Sequence, residues 1–217
     1  MKILSDFDGT AAATDVGNLL FRTFADAEKC RAVVQQWKDG KLSSKACLIQ
    51  ECALARVTRP ELERFVDAQK LDPHFPAFVA FCAKHNIPVE IVSDGFDFYI
   101  ARILRNHGLD GQIPVRANRL LFVDSNRIEP AFPYYEQGCG VCANCKGVHV
   151  RRARQEHETV VYVGDGLSDR CGAREADVVF AKRGRDLLRF CRESGLPHHE
   201  YDTFADVLRE IRRLLET

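Results

Sequence analysis

The chain opens on an apolar run at residues 2–7 that stops at Asp8-Gly9, which predicts a buried strand ending where its backbone must turn. From Asp15 to about Gln69 the spacing becomes helical, with Leu19, Leu20 and Phe24, then Val33, Val34 and Trp37, each set on one face. Thr58-Arg59-Pro60-Glu61 supplies a cap, a proline near the first turn and an early acid for a further helix. Shorter elements then alternate: a helix over 75–85, a strand over 88–92, a helix over 96–106, and strands at 115–117 and 159–163. Residues 120–123 and 127–128 flank the turn-forming Asp124-Ser125-Asn126 and predict a strand pair or an irregular excursion. A strand at 178–181 and helices over 183–194 and about 204–215 complete the pattern.

Strands separated by helices predict an α/β fold, a Rossmann-like parallel sheet with helices on both faces. The long helical block follows directly on the first strand and reads as an insertion. Residues 1–13 and 74–217 are therefore expected to form the core, and residues 14–73 a small α-helical cap.

Composition narrows the partners. At 217 residues and 46% hydrophobic, the chain supports one sizeable core with a small attachment. Its 31 basic and 31 acidic residues balance, which argues against wrapping nucleic acid or docking on an anionic membrane and favours a small-molecule partner. The longest apolar stretches, 87–92 and 160–163, are too short to span a bilayer, and no basic-then-apolar leader precedes the first strand. The expectation is a cytoplasmic protein, monomeric or homodimeric. Nine cysteines, odd in number and scattered, read mostly as buried thiols.

Candidate chemistry gathers at predicted strand ends. Period-two geometry puts Asp6 and Asp8 on one side of the first strand, so that one carboxylate can attack while the other handles a proton. In Gly164-Asp165-Gly166-Leu167-Ser168-Asp169 another apolar strand ends in an acid, with a second Asp four residues later; hard magnesium prefers a few such oxygens and keeps several waters. Ser93-Asp94-Gly95 is a strand-to-helix turn whose hydroxyl and free amides suit phosphate oxygens, and Lys146 opens the helix leading to the Asp165 strand. Carboxylates gathered at one edge cost stability unless a cation joins them.

In order, these segments resemble the four motifs of the haloacid dehalogenase superfamily, and the likeness spans nearly the whole chain. The resemblance implies a phosphatase in which Asp6 is the nucleophile that becomes an aspartyl phosphate, while Asp8 protonates the leaving group and then activates water. It implies Mg2+ held by Asp6, the carbonyl of Asp8 and Asp165, with Asp169 supporting the metal's water shell and Ser93, Asp94 and Lys146 at the phosphoryl group. The second Asp favours phosphoryl transfer over carbon–halogen chemistry. The helical insertion looks like the cap of the phosphoserine-phosphatase-like subgroup. Within it, Ser93 to Phe98, the cysteines before Lys146 and the late Cys191-Arg192-Glu193 helix resemble the methionine-salvage phosphatases acting on 2-hydroxy-3-keto-5-methylthiopentenyl-1-phosphate. Phosphoserine, phosphocholine and phosphoethanolamine remain alternative substrates. A phosphotransferase or mutase shares every motif, and a non-catalytic phospholigand-binding protein is the reading from another class.

Three smaller features carry two readings each. Cys139, Cys142 and Cys145 with His149 have the ligand types of a structural zinc knot, or form a reduced or partly bridged loop that positions Lys146. Asp15 and Asn18 begin the helical block and either face the leaving group or, through Asp15, cap the helix. Phe21, Phe24 and Trp37 either line a pocket or belong to the core, and His198-His199 is expected in a solvated loop.

Overall fold

The computed structural model describes residues 1–216. Ile3 and Leu4 are both fully buried and belong to different apolar clusters, so strand β1 (Lys2–Ser5) needs cover on both faces and a neighbour at each edge. It receives them in a seven-stranded sheet of order β4-β3-β2-β1-β5-β6-β7. The remaining strands are β2 (Val89–Phe96), β3 (Val115–Phe122), β4 (Ile128–Ala131), β5 (Val160–Gly164), β6 (Val178–Lys182) and β7 (His199–Tyr201). All neighbours are parallel except β3 and β4, which form an antiparallel pair at one edge.

Helices α1 (Val16–Phe24), α2 (Ala27–Lys38), α3 (Ser44–Leu54) and α4 (Arg59–Asp67) lie between β1 and β2 in the chain, before α5 (Phe75–Lys84). They are followed by α6 (Asp97–Asn106), α7 (Lys146–Arg154), α8 (Arg170–Glu175), α9 (Asp186–Ser194) and α10 (Phe204–Glu216). One sheet face packs Ile3, Ile91, Val161 and Phe180 against residues of α5, α6 and α10. The other packs Leu4, Val92, Tyr162 and Val179 against residues of α7, α8 and α9. This is the expected α/β sheet covered on both faces.

The chain enters and leaves the helical block through a short antiparallel neck. Ala12 bridges Leu71, the Ala13 amide donates to the Lys70 carbonyl (2.9 Å), and the Asp72 amide donates to the Ala11 carbonyl (2.9 Å). Inside the block, α4 begins with the reciprocal cap its sequence signals: the Thr58 amide donates to Glu61 Oε2 (2.8 Å) and the Glu61 amide to Thr58 Oγ1 (3.4 Å). Phe21 is buried, Phe24 meets Phe65 edge-on at 5.5 Å, and Trp37 is half-buried.

Three local expectations change. Residues 115–117 and 120–122 belong to one strand, β3, because the polar Asn118 between them is fully buried and spends its Nδ2 on the Asp94 carbonyl (2.7 Å). The first strand ends at Ser5, and a wide turn over Phe7–Ala11 follows it. His199 is not in a solvated loop; it opens edge strand β7 and stacks on Phe180 with centroids 5.1 Å apart. No helix among the described residues is long and apolar enough to cross a membrane.

Candidate active site

Strand order reverses at β1: the chain builds β2 and β3 on one side of it, then returns to build β5, β6 and β7 on the other. A crevice opens at the carboxyl ends of strands about such a switch point. Asp6 follows β1, Ser93 lies late in β2 and Asp165 follows β5, so three adjacent strand ends carry the acidic and hydroxyl groups singled out in the sequence.

Asp6 is 4% exposed; its Oδ1 accepts the Phe7 amide (2.7 Å) and stands 2.7 Å from Lys146 Nζ. Burial pushes its carboxyl well above the ordinary range and Asp169 adds to this, while Lys146 pulls it back. Asp8 is placed by the turn rather than by strand alternation. Its Oδ1 accepts the Val16 and Gly17 amides (3.0 and 3.1 Å) at the start of α1, and its Oδ2 accepts the Tyr99 hydroxyl at 2.6 Å. Burial, then the charge of Asp15, pushes Asp8 up to about 7 against the pull of these bonds. Ser93 Oγ, 1% exposed, lies 3.4 Å from Asp8 Oδ2.

Lys146 is 1% exposed and touches Asp169 Oδ1 (2.5 Å), Asp6 Oδ1 and Ser168 Oγ (3.0 Å). Burial works against its charge, but Asp169 and Asp6 together outweigh that and hold its pKa above the ordinary value. Asp169 is saturated: Oδ1 accepts Lys146 and the Tyr162 hydroxyl (2.5 Å), and Oδ2 accepts the Asp165 and Gly166 amides (2.8 and 2.7 Å). Asp165 has weaker partners, the Thr10 hydroxyl at 3.4 Å and the Arg185 guanidinium at 4.0 Å. Burial and the charge of Asp169 push Asp165 up to about 7. Gly9 sits at φ 70°, where a Cβ would fall 2.4 Å from Asp165 Oδ2, so the turn and this carboxylate share a space only glycine leaves open.

Carboxylate oxygens of Asp6, Asp165 and Asp169 lie within 4.8 Å of one another. Oxygen-only donors, buried and short of positive charge, suit a hard divalent cation such as magnesium. Since Asp169 has spent both oxygens on protein donors, the lone pairs left for such a cation are those of Asp6 and Asp165.

Other predicted residues have partners of their own. Asp94, expected at the phosphoryl group, has its Oδ1 accepting the Asn144 amide (2.7 Å), which ties the end of β2 to the loop before Lys146. Asp15 caps α1 by accepting the Asn18 amide (2.9 Å), and both residues are exposed. His149 is not the fourth member of the cysteine group. Its buried ring donates from Nε2 to Asn144 Oδ1 (2.6 Å), and the fourth sulfur there is that of Cys171. Two residues went unmarked in the sequence: Tyr99, six positions after Ser93 on the next helix, and Lys182, at the end of β6, whose Nζ donates to the Gly9 carbonyl at 2.7 Å. A polar group at the last position of a buried strand was the available signal for Lys182. Tyr99 had none, because an aromatic at helical spacing reads as core.

A doubly covered parallel sheet with an Asp-x-Asp turn, a buried serine, a buried lysine and a second acidic loop around one crevice defines a phosphatase of the haloacid dehalogenase type, a phosphoric monoester hydrolase. The chain belongs to the family described as Putative Phosphatase, whose model matches residues 1–204. It is similar to the polyol phosphate phosphatase PYP1 of Saccharomyces cerevisiae, 27% identical over 228 residues covering 98% of this chain and 93% of that protein. It is similar as well to a 2-hydroxy-3-keto-5-methylthiopentenyl-1-phosphate phosphatase of Lysinibacillus sphaericus, 31% identical over 227 residues covering 99% of this chain and 95% of that protein. A substrate-bound phosphoserine phosphatase shares the fold, with a TM-score of 0.72 at 19% identity, covering 97% of this chain and 98% of that one.

Proposed function

We propose that the protein is a magnesium-dependent phosphatase of a small phosphorylated metabolite, working through an aspartyl phosphate on Asp6, with 2-hydroxy-3-keto-5-methylthiopentenyl-1-phosphate as the substrate. The observation that carries the chemistry is the unequal fate of the two carboxylates of the first motif. Asp6 pairs with Lys146 beside the acidic cluster, while Asp8 is held apart by the α1 amides and Tyr99 with its pKa near 7. One is placed to attack; the other is poised to carry a proton at neutral pH.

In this reading an oxygen of Asp6 forms a bond to phosphorus as the leaving oxygen departs with a proton from Asp8. Asp8, now ionised, takes a proton from the water that cleaves the acyl phosphate and returns to its starting state. Lys146 and the Ser93 hydroxyl meet the phosphoryl oxygens, and Asp169 holds Lys146 in place. Asp6, the Asp8 carbonyl and Asp165 would hold magnesium, which would supply neutralisation of the phosphoryl charge. The helical block over 14–73 acts as the cap that admits the substrate and closes over it.

The substrate rests on the Lysinibacillus sphaericus relative, which carries that activity in its name and matches almost end to end. The Saccharomyces cerevisiae relative favours a polyol phosphate as the second reading. The test is release of inorganic phosphate, with and without magnesium, from a panel holding the salvage intermediate, polyol phosphates, phosphoserine, phosphocholine and phosphoethanolamine. We expect hydrolysis to vanish on chelation, to return with magnesium, and to fall at least about a thousandfold in Asp6→Asn. Retained turnover in that variant overturns the mechanism. A best kcat/KM on any other panel member overturns the substrate and leaves the chemistry standing.

A further inference from the structure

The middle of the loop between β4 and α7 has little apolar packing to hold it. Gly138 and Gly140 flank Cys139, and Val141 is 57% exposed. Yet its backbone follows a defined course onto the buried Lys146. Four sulfurs converge there: Sγ of Cys139, Cys142, Cys145 and Cys171 all lie within 4.8 Å of one another, with Cys142 and Cys171 at 4.0 Å.

We propose that Cys139, Cys142, Cys145 and Cys171 bind one zinc ion in a closed four-cysteine site, which fastens the loop carrying Lys146 to the helix that follows Asp169. Four thiolates are the ligand set of structural zinc, and a tetrahedron with zinc–sulfur bonds of about 2.3 Å has sulfurs about 3.8 Å apart. The Cys142–Cys171 separation of 4.0 Å is close to that edge, and the other sulfur pairs lie within 4.8 Å. Four protein ligands leave no open position, so the site is structural and distinct from the oxygen-lined crevice, whose carboxylates suit a harder ion.

The surroundings are those of a metal loop. The Cys142 amide donates to Cys139 Sγ (3.4 Å), a contact that stabilises a thiolate. His149, nearer in sequence than Cys171, is engaged with Asn144, whose Nδ2 in turn donates to the carbonyls of Ser93 (2.8 Å) and Arg116 (2.9 Å). At Gly147 a Cβ would sit 2.8 Å from the Cys171 carbonyl, so the start of α7 and the start of α8 touch backbone to backbone. Cys145 directly precedes Lys146, and Cys171 comes two residues after Asp169, the partner of Lys146 at 2.5 Å. The loop also reaches the helical block: the Ala143 amide donates to Ser44 Oγ (2.7 Å) and the Ser44 amide to the Val141 carbonyl (3.1 Å).

The test reads metal, not turnover, so its failure leaves the phosphatase reading intact. The full chain is produced in zinc-supplemented medium, purified under reducing conditions with exposure to a mild chelator, and analysed for metal by mass spectrometry. We expect one zinc per chain in the wild type and in His149→Gln, and near-complete loss in Cys171→Ser. Should the serine variant fail to fold, cobalt exchanged into the wild type gives an independent readout, a visible spectrum with the thiolate charge-transfer and intense ligand-field bands of a tetrahedral sulfur site. A zinc-free wild type, a mapped disulfide between Cys142 and Cys171, a cobalt spectrum without those bands, or zinc lost in His149→Gln but kept in Cys171→Ser overturns the proposal.

Discussion

Asp8 is gripped through both oxygens by different kinds of donor: backbone amides of Val16 and Gly17 on one side, the Tyr99 hydroxyl at 2.6 Å on the other. The amides come with the fold of α1 and cannot be edited singly, whereas the hydroxyl can. Tyr99 is fully buried, and its ring packs near Phe7 and Phe96 at 6.2 and 6.3 Å, so Tyr99→Phe keeps the packing and removes one hydrogen bond to a charged acceptor. Such a bond contributes about 1.5 kcal/mol or more, which corresponds to roughly tenfold in rate if it is needed to hold Asp8 in line. We expect kcat to fall by about tenfold with KM nearly unchanged, measured by steady-state phosphate release with the circular dichroism spectrum as a check on folding. An unaltered kcat would show that the two amides alone position Asp8.

At the scale of elements, helix α3 contains a cost as well as a support. Glu51 is 6% exposed, and its only hydrogen-bonding neighbour of note is the Cys47 thiol, 3.6 Å from Oε2. Burial pushes its carboxyl from 4.5 up to about 7. Between those values the folded state holds a proton the unfolded chain has released, so stability falls as pH rises through that window and stays reduced above it. The penalty amounts to at most about 3 kcal/mol at pH 8. We therefore expect Glu51→Gln to raise the thermal midpoint at pH 8 and to leave it unchanged at pH 4; equal midpoints at both values refute a buried, proton-hungry Glu51. Nothing in the sequence marked this residue, because a glutamate at helical spacing reads as a solvated face. The buried strands were legible, since β5 is an unbroken apolar run, β1 and β6 are apolar but for polar end residues, and β2 carries Ile91-Val92 beyond a single interruption at Glu90. What escaped was set by distance: Cys171 lies far along the chain from Cys145, and only the packing of α7 on α8 brings it closer to the other sulfurs than His149.

Across the whole molecule, two of the contacts that join the helical block to the rest of the chain differ in strength. The outer contact is ionic and wet: Arg102 of α6 holds Asp67 of α4 through two bonds of 2.6 and 2.8 Å, with the Asp67 side chain 43% exposed. Exposed pairs of this kind contribute little, because water and salt compete for both charges. The inner contact is the neck, where Asp72 is 3% exposed and accepts the His74 amide (2.9 Å) and the Phe204 amide at the start of α10 (3.3 Å to each oxygen). Removing that carboxylate leaves the buried Phe204 amide and the partly buried His74 amide without it, a loss of about 1–3 kcal/mol. For a chain of this size that is a fall of about 2–4 °C in the thermal midpoint per kcal/mol. We expect Asp72→Ala to lower the midpoint by several degrees and Asp67→Ala to leave it in place, both followed by thermal denaturation at moderate ionic strength. Because neither residue touches the crevice, kcat at 25 °C should stay within about twofold of wild type in both variants. The reverse ranking, with Asp67 the costlier loss, would mean that the block is held to the sheet by its surface charges rather than by the buried neck.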